Sequence, residues 1–441
     1  MDVALKRIAD AVRRTCGGVV SSAIETRAVP GMGVGVVARE HIPKDTLVFQ
    51  AGRDAWYPFS ADCALDTAQQ RAPGFVQQWE ALLASNRTLR NGPSVVPNAL
   101  VMAVHLLVNF TYAERDSDAA LVATTVDTLP LEELYVNALP RVVDLPLFWR
   151  QRQLEELQGC EEARRAMQHG VHFYSQIHRH LFGSHNQFVK MEAFFWAISI
   201  LMSRATSGQD QPFTLIPFFD WFNHANNGGE CIQAFDPQKG FTVHTTKAYE
   251  RGEQLFISYG NHGNLRLLRN YGFTIAANPF DVVDLPMPDS LQQLNPADPA
   301  FAQKRESLLS SAAGTQTDGF ALKRVRFQHD GSLDPSAKLW LAILLATPEE
   351  LNEIVRHAVV QRTPGDAMAP LLLLPPTLTR KVDAVVHKLV TRRLEQHSSS
   401  LKEDETFLRA NDQRMAAWLR SCLHVRMSEK QTLMRAASKH A

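Results

Sequence analysis

The amino-acid sequence predicts an α+β fold, because strand-like and helical patterns occupy separate stretches of its 441 residues. Small or apolar residues alternate with polar ones near the N-terminus and again from about Phe213, which is the period of a strand. Apolar residues three and four positions apart fill the stretch between them and the stretch after about Asp289, which is the period of a helix. At this length, two domains, or one domain with a large insertion, are expected.

The first strand pattern is "GMGVGVVAREHIPKDTLVF" at residues 31–49. Its alternation stops at Ile42-Pro43 and resumes in "TLVF", so these residues are predicted to form a hairpin. The next stretch, residues 61–205, contains helical spacing in "NALVMAVHLLVNFTY", "LFWRQRQLEELQG" and "KMEAFFWAISILMSRA". This stretch is predicted to be a helical insertion between two groups of strands.

Strand patterns return in "FTLIPFFDWFNH", "GFTVHTTKAY" and "EQLFISY", the last of which places Tyr259 at the end of a strand. Asn264 is expected to cap the helix that follows. That helix reaches Tyr271, and Gly272 is expected to supply the left-handed conformation that ends it. From about residue 289 onwards the pattern is helical again, which predicts a second, all-helical domain.

The composition is that of an ordinary globular protein, with 45% hydrophobic and 21% charged residues. Lys plus Arg and Asp plus Glu both total 46, so no overall charge favours a nucleic-acid partner. Five cysteines are scattered singly, which favours reduced thiols and a cytoplasmic or nuclear location. The longest apolar run, "FFWAISILM", is about half of the ~20 residues that a membrane-spanning helix needs, so no membrane segment is predicted.

Two local motifs are weighed and set aside. "GMGVGV" has part of a dinucleotide-binding fingerprint, but its spacing is wrong and a strand follows instead of a helix. A glycine-rich turn, where the backbone closely approaches another group, is the favoured interpretation. "HRHLFGSH" concentrates histidines without an HExxH motif or matching cysteines, so exposed histidines at a helix end are favoured and no metal site is predicted.

Polar residues end one of the strand-like runs. In "LIPFFDWFNHAN", Asp220, Asn223 and His224 come just before a break marked by "NNGG". Polar groups at the end of a strand are candidates for a functional site. For an isolated Asn-His dipeptide, hydrogen bonds to its own backbone in a turn are the more common explanation.

Further evidence comes from six stretches taken together and in order. They are "VPGMGVGVVAREHIPKDTLVF", "LPLFWRQRQLEELQG", "AISILMSRA", "LIPFFDWFNHAN", "YERGEQLFISYGNHGNLRLLRNYGF", and the pair "SLKEDETFL" and "RSCLHVRMSEKQTL". In this order they resemble the SET-domain methyltransferases, specifically the subfamily similar to the Rubisco large-subunit lysine methyltransferase. The resemblance covers most of the chain and implies a SET-domain β-fold with a helical insertion, followed by an all-helical C-terminal substrate-binding domain.

The resemblance also implies domain ranges. Residues 1–285 would form the SET domain, with its first strands at about 16–60, the insertion at about 61–205 and its last strands at about 206–280. Residues 286–441 would form the helical domain. The cysteine-rich zinc motif that follows the SET domain in histone-type relatives is absent, because no cysteine lies between Cys231 and Cys422.

The implied cofactor is S-adenosyl-L-methionine, a sulfonium methyl donor. Cofactor contacts are implied for Met32, Gly33, Val34, Arg204, Asp220, Asn223, His224, Tyr259 and Phe273. Substrate contacts are implied for Arg204, Asp220 and Tyr271. Tyr259 matches the catalytic tyrosine of the family, and it would align the acceptor with the donor methyl group inside a narrow channel.

The resulting functional prediction is methyl transfer to a lysine side chain of a non-histone protein. A lysine amine, with a pKa of ~10.4, must lose its proton before it can attack, and an apolar channel favours that loss. A protein-histidine methyltransferase of the same architecture is the first alternative. A catalytically silent SET-fold protein-binding module is the second. The expected partner is a protein substrate, with neither nucleic acid nor membrane, and a monomer is the expected state.

Overall fold

The chain is described by a computed structural model over residues 2–86, 89–90, 95–109, 130–183, 189–208, 210–287, 298–313, 324–360, 374–412 and 414–441. The strands are β1 (Val19–Val20), β2 (Ile24–Val29), β3 (Gly33–Ala38), β4 (Leu47–Ala51), β5 (Thr206–Gly208), β6 (Gln211–Thr214), β7 (Asn223–His224), β8 (Ile232–Asp236), β9 (Gly240–His244), β10 (Gln254–Ile257), β11 (Val282–Pro286) and β12 (Arg324–Gln328).

The helices follow the same chain order. They are α1 (Asp2–Arg14), α2 (Arg53–Trp56), α3 (Ala61–Arg71), α4 (Pro73–Ser85), α5 (Val95–Asn109), α6 (Leu131–Ala138), α7 (Gln151–Glu155), α8 (Glu161–Phe182), α9 (Met191–Arg204), α10 (Asn264–Tyr271), α11 (Pro299–Ala313), α12 (Pro335–Leu345), α13 (Pro348–Val360), α14 (Pro376–Glu395), α15 (Leu401–Asn411) and α16 (Ala417–Lys439). Short 3-10 helices cover Tyr57–Phe59, Pro146–Phe148 and Phe219–Trp221. In the described part of the chain, no helix has both the length and the hydropathy of a membrane span.

Contacts divide the chain into two units. The first unit comprises Met1–Phe148, His169–His262 and Arg269–Gly272. The second unit comprises Trp149–Gln168, Gly263–Leu268 and Phe273–Ala441. Each unit is built from several stretches, because segments far apart in the sequence pack together. The domain ranges given above stay a prediction.

The first unit contains two four-stranded sheets, with strand orders β1-β4-β9-β8 and β2-β3-β10-β7. In the second of these sheets, β10 lies antiparallel to β3 and parallel to β7. Helices α3 to α6, most of α8, and α9 occupy the predicted insertion. Their apolar faces and the inner faces of the sheets share one core, in which Phe49, Phe59 and Phe194 are fully buried.

The predicted hairpin between β3 and β4 is wrong. β3 pairs with β2 and β10, whereas β4 pairs with β1 and β9, so the two strands lie in different sheets. After β3 the chain makes an isolated bridge from Ile42 to Tyr249 and then turns into the other sheet. The alternating pattern identified both strands correctly, but it carries no information on which edge each strand pairs with.

The predicted α+β class is confirmed, with one correction to the description of the C-terminal part as all-helical. β11 and β12 form a two-stranded antiparallel sheet in the second unit. Val283 and Leu285 face the core opposite Phe327 and Val325, while Arg326 donates to Asp284 at 2.7 Å on the other face. A period of two over five residues is easily missed beside long helices.

The segment around Gly272 agrees with the sequence except at Asn264. α10 ends at Tyr271, and Gly272 has a φ of 80°, as predicted. The Asn264 side chain, however, does not cap α10: its Nδ2 donates to the Ile275 carbonyl at 2.9 Å and its Oδ1 accepts from the Ile275 N–H at 2.7 Å. Asn264 therefore ties the start of this helix to the chain that follows it.

Gly272→Ala is expected to destabilise the protein by about 1–2 kcal/mol, because a side chain is disfavoured in the left-handed region. An added Cβ would also lie 2.5 Å from the Asp144 carbonyl oxygen. Chemical denaturation measures the loss. Gly170→Ala is the matched control, since Gly170 lies inside α8 with no atom within 4 Å of an added Cβ, and this change should stabilise by about 0.5–1 kcal/mol. Equal effects of the two variants would contradict the assignment.

Candidate active site

Strand β10 gathers the predicted site residues of the first unit. Its register pairs Phe256 with Asn223 and Ile257 with His224 on one side, and Gln254 with Val37 on the other. Leu255 and Ile257 are buried in the core. The chain therefore leaves β10 beside the Asn-His pair of β7, and Tyr259 follows two residues later.

Hydrogen bonds hold Tyr259 at both ends. Its hydroxyl donates to the Phe222 carbonyl oxygen at 2.7 Å, and its backbone N–H donates to Nδ1 of His224 at 3.0 Å. Burial raises the pKa of the Tyr259 phenol well above its usual value, and the Asp220 carboxylate raises it further, against an opposing effect of Arg204. The phenol therefore stays protonated at neutral and mildly alkaline pH, and it acts as a hydrogen-bond donor.

His224 is the neutral partner in this pair. Burial lowers its pKa, so the imidazole is uncharged at neutral pH. Because Nδ1 accepts from the Tyr259 N–H, the neutral ring carries its proton on Nε2. An uncharged His224 avoids repulsion with a positively charged ligand nearby.

Four aromatic rings form a column through this region. The His224 and Tyr259 ring centres lie 5.1 Å apart, the Tyr259 and Tyr271 centres 5.0 Å apart, and the Tyr271 and His262 centres 6.2 Å apart. Tyr259 and Tyr271 therefore lie side by side, while the roles implied for them stay predictions. His262 was missed in the sequence, although it lies in the quoted stretch "SYGNHG", because no periodicity assigns a face to a residue in a turn.

A buried ion pair supports the other side of the site. The Asp220 side chain is fully buried, and its Oδ2 accepts from Nη1 of Arg204 at 2.8 Å and from the Tyr135 hydroxyl at 2.8 Å. Burial raises the pKa of Asp220, and the hydrogen bonds from Arg204 and Tyr135 oppose that effect. The positive charge of the Arg204 guanidinium is thus balanced by the Asp220 carboxylate inside the protein. Tyr135 was missed by the sequence analysis, because it lies in the helical insertion, far from the strands that signal the site.

The side chain of Gln254 connects Asn223 to Met32 of the glycine-rich turn. The Asn223 Nδ2 donates to Oε1 of Gln254 at 3.3 Å, and the Gln254 Nε2 contacts the sulfur of Met32 at 3.7 Å. Gly35 makes room for this contact, since an added Cβ would lie 2.3 Å from Oε1 of Gln254. Gln254 was not singled out in the sequence, because its side chain alternates away from the buried face of β10.

The backbone of the turn is open. Gly33 has a φ of 75°, and no atom lies within 4 Å of an added Cβ at that position. Met32 is 43% exposed, and Val34 is half-buried against the core. Phe273 belongs to the second unit, and its predicted position beside the cofactor stays a prediction.

Comparison with known families agrees with this arrangement of strands. Residues 33–260, just over half of the chain, match the family model described as SET domain. The chain belongs to the SET-domain family. In this SET-domain protein, residues 295–433 also match the model described as Rubisco LSMT substrate-binding. The resemblance to the SET-domain methyltransferases of the Rubisco large-subunit type, inferred from the sequence, is therefore confirmed.

Two relatives show the range of named activities. This SET-domain protein is 24% identical over 328 residues to the actin-histidine N-methyltransferase of Homo sapiens, which covers 70% of this chain and 52% of that protein. It is 23% identical over 320 residues to the chloroplastic ribulose-1,5 bisphosphate carboxylase/oxygenase large subunit N-methyltransferase of Nicotiana tabacum, which covers 68% of this chain and 61% of that protein. The chain spans between one half and two thirds of the length of these relatives.

Solved structures share the fold of this SET-domain protein. A structure of Rubisco LSMT bound to sinefungin and monomethyllysine superposes with a TM-score of 0.69 at 17% identity, covering 100% of this chain and 92% of that one. A structure of Rubisco LSMT bound to AdoMet gives 0.68 at 16% identity, covering 99% and 91%. The likeness confirms the predicted SET β-fold with an inserted helical region and a helical C-terminal part.

Proposed function

We propose that this SET-domain protein is an S-adenosylmethionine-dependent methyltransferase that methylates a lysine side chain of a protein. The observation that carries the proposal is the placement of Tyr259, whose hydroxyl is fixed on the Phe222 carbonyl at 2.7 Å within the matched SET region. A protonated phenol and a carbonyl oxygen, held together beside stacked rings, suit the alignment of an acceptor nitrogen.

The residues around the glycine-rich turn fit the cofactor. When bound, S-adenosylmethionine supplies a methyl group on a positively charged sulfur. The open backbone at Gly33 allows a ligand to approach the main chain closely. The neutral His224 adds no repulsion, and Asp220 keeps Oδ1 buried without a hydrogen-bond partner from the described residues. Asn223 offers an amide for the edge of a purine ring.

The protonation state of the Tyr259 phenol determines its role in the proposed reaction. Its pKa is raised by burial, so its phenolate is not available as a base near neutral pH. The acceptor lysine must therefore arrive neutral or lose its proton to solvent, and the half-buried rings of Tyr259 and Tyr271 disfavour a solvated cation beside them. The Tyr259 oxygen then accepts a hydrogen bond from an N–H of the amine and so orients the amine lone pair, while the phenol proton stays bonded to the Phe222 carbonyl oxygen.

Histidine is the second candidate acceptor. The relatives named actin-histidine N-methyltransferases favour it, including those of Mus musculus and Danio rerio at 24% identity. An imidazole is mostly neutral at neutral pH and needs no strong deprotonation. The same ring column would then stack against the acceptor ring rather than surround an alkyl chain.

The second unit is proposed to bind the protein substrate. Residues 295–433 match the model described as Rubisco LSMT substrate-binding, and they contain α11 to α15 and most of α16. Target choice would then depend on this helical region rather than on the ring column. The silent-module alternative predicts substrate binding without methyl transfer.

Labelled methyl transfer tests the function. The purified protein is incubated with a cell lysate and methyl-labelled S-adenosylmethionine, and labelled peptides are mapped by mass spectrometry. Label on a lysine supports the proposal, and label on a histidine selects the second candidate. Cofactor binding without label above that of Tyr259→Phe would support the silent module instead.

Asn223→Ala is expected to weaken cofactor binding by about 10-fold, the value of one hydrogen bond. Isothermal titration with S-adenosylmethionine measures the dissociation constant, and circular dichroism checks that the helical content is retained. Asn227→Ala is the control, since Asn227 lies in the following exposed loop. Among the described residues its side chain only accepts from the Gly229 N–H at 3.0 Å, and its backbone bond to Glu230 survives the substitution. An unchanged affinity in Asn223→Ala would show that the adenine assignment is misplaced.

A further inference from the structure

Three potential metal ligands meet in the second unit. The Cys160 sulfur, a ring nitrogen of His397 and a carboxylate oxygen of Glu429 all lie within 4.8 Å of one another. Cys160 precedes α8, His397 follows α14, and Glu429 lies on α16. No sequence spacing links these positions, which explains why the sequence predicted no metal site.

Among the described residues, His397 has no hydrogen-bond partner, although its side chain is only 2% exposed. Both of its ring nitrogens are buried, and neither has a hydrogen bond within the described part of the chain. Nδ1 packs against Gly159, where an added Cβ would lie 2.2 Å from it. Only Nε2 is therefore left to face another group. An unsatisfied buried polar group destabilises the folded state, so this arrangement calls for a partner.

Glu429 presents the matching anomaly. Among the described residues, no side-chain or backbone N–H lies within ordinary hydrogen-bond geometry of its buried Oε1, which lies 3.6 Å from Nε2 of His397 and also faces the Cys160 thiol. That separation exceeds the N–H···O range of ~2.7–3.2 Å. Two ligands of one tetrahedral zinc ion, with bonds of about 2.1 Å each, lie about 3.4 Å apart. The observed spacing is thus closer to shared coordination than to a direct hydrogen bond.

Arg393, which lies beside Glu429, has other hydrogen-bond and ion-pair partners. Nη1 of Arg393 donates to the Gly159 carbonyl at 3.2 Å and to Oε1 of Gln396 at 3.3 Å, and its Nη2 lies 3.9 Å from Glu162. Its contact with Glu429, at 3.4 Å from Nε to Oε1, is a further ion pair. Glu429 can therefore bind a cation while Arg393 keeps its other partners.

We propose that Cys160, His397 and Glu429 bind one zinc ion, which joins three separate segments of the second unit. Thiolate, imidazole and carboxylate together, in a group of three, favour zinc over magnesium or calcium. Binding forms the zinc–sulfur bond, breaks the S–H bond of Cys160 and releases that proton to solvent. A water molecule would complete the coordination. Because the ligands come from distant parts of the sequence, binding should stabilise the folded state.

Metal titration tests the site directly. The untagged full chain is stripped with a chelator, and its zinc content after re-addition is measured by atomic emission. One zinc ion per chain and a higher melting temperature are expected, and cobalt substitution should give a thiolate-to-cobalt charge-transfer band. Cys160→Ser should abolish that band and weaken binding at least about 10-fold. Cys422→Ser changes another buried cysteine of the same unit. It should leave the zinc content, the rise in melting temperature on zinc addition and the cobalt band unchanged.

A second variant keeps the test informative if Cys160→Ser does not fold. Glu429→Gln preserves size but removes a charged ligand, so it should weaken zinc binding while retaining the cobalt–thiolate band. The competing explanation is direct contact of His397 and of the Cys160 thiol with Glu429, and no metal. In that case the wild-type chain would bind no stoichiometric zinc. Either that result, or equal zinc affinity in wild type and Cys160→Ser, would overturn the proposal.

Discussion

Tyr259→Phe is expected to fold normally and to lose about 100-fold or more of its methyl-transfer rate. Only the hydroxyl leaves, and with it the 2.7 Å hydrogen bond to the Phe222 carbonyl. The ring contacts with His224 and Tyr271 do not need the hydroxyl, and the stability cost should be about 1 kcal/mol. Single-turnover methyl transfer at saturating cofactor measures the rate, and a direct titration checks that cofactor binding survives.

Tyr249→Phe provides the matched control for this variant. Tyr249 is buried in the same unit, and its hydroxyl also donates to a backbone carbonyl, that of Gly229, at 3.0 Å. Both variants therefore lose one phenol-to-carbonyl hydrogen bond. The two should lose similar stability, but only Tyr259→Phe should lose activity. If both lost activity equally, the effect would belong to folding, and wild-type turnover in Tyr259→Phe would remove the phenol from the mechanism.

The strands around the site were predictable because burial leaves a period of two in the sequence. Leu255 and Ile257 mark the inner face of β10, so the end of that strand and the position of Tyr259 follow from the pattern. Asn223 and His224 were found in the same way, as polar residues at a break. Their pairing beside Phe256 and Ile257 was not predictable, because strand partners are chosen by contacts between distant segments.

Supporting residues were harder to predict than the residues they support. Tyr135 holds Asp220 and Gln254 holds Asn223, yet each has an ordinary place in its own helix or strand. Their importance depends on a hydrogen-bond partner that only folding brings close. The hairpin error has the same origin, since β3 and β4 were recognised as strands but assigned to each other.

The C-terminal motifs acquire a physical explanation only in three dimensions. "SLKEDETFL" and "RSCLHVRMSEKQTL" were recognised separately, but Asp404 of the first lies between Arg426 and Lys430 of the second. Asp404 Oδ1 accepts from Nη2 of Arg426 and from the Ser399 hydroxyl, and its Oδ2 accepts from Lys430 Nζ at 2.6 Å. One carboxylate thus joins α15 to α16 in the core of the second unit.

Asp404→Ala is expected to destabilise the protein by about 3–5 kcal/mol, because it leaves two cations buried without their shared carboxylate. The side chains of Asp404, Arg426 and Lys430 are 3%, 6% and 3% exposed, so water cannot replace the lost partner without opening the packing. Thermal and urea unfolding measure the effect. A fall in melting temperature on the order of 10 °C is expected for a unit of this size.

Asp412→Ala separates burial from ion pairing as the cause of that loss. Asp412 also pairs with an arginine of the second unit, Arg420, at 2.7 Å, but its side chain is 59% exposed. Water screens such a pair, so its removal should cost no more than about 1 kcal/mol. Similar losses in the two variants would mean that the buried position of Asp404 contributes nothing special. A loss of stability confined to Asp404→Ala would show that the buried Asp404 carboxylate is needed to hold α15 against α16.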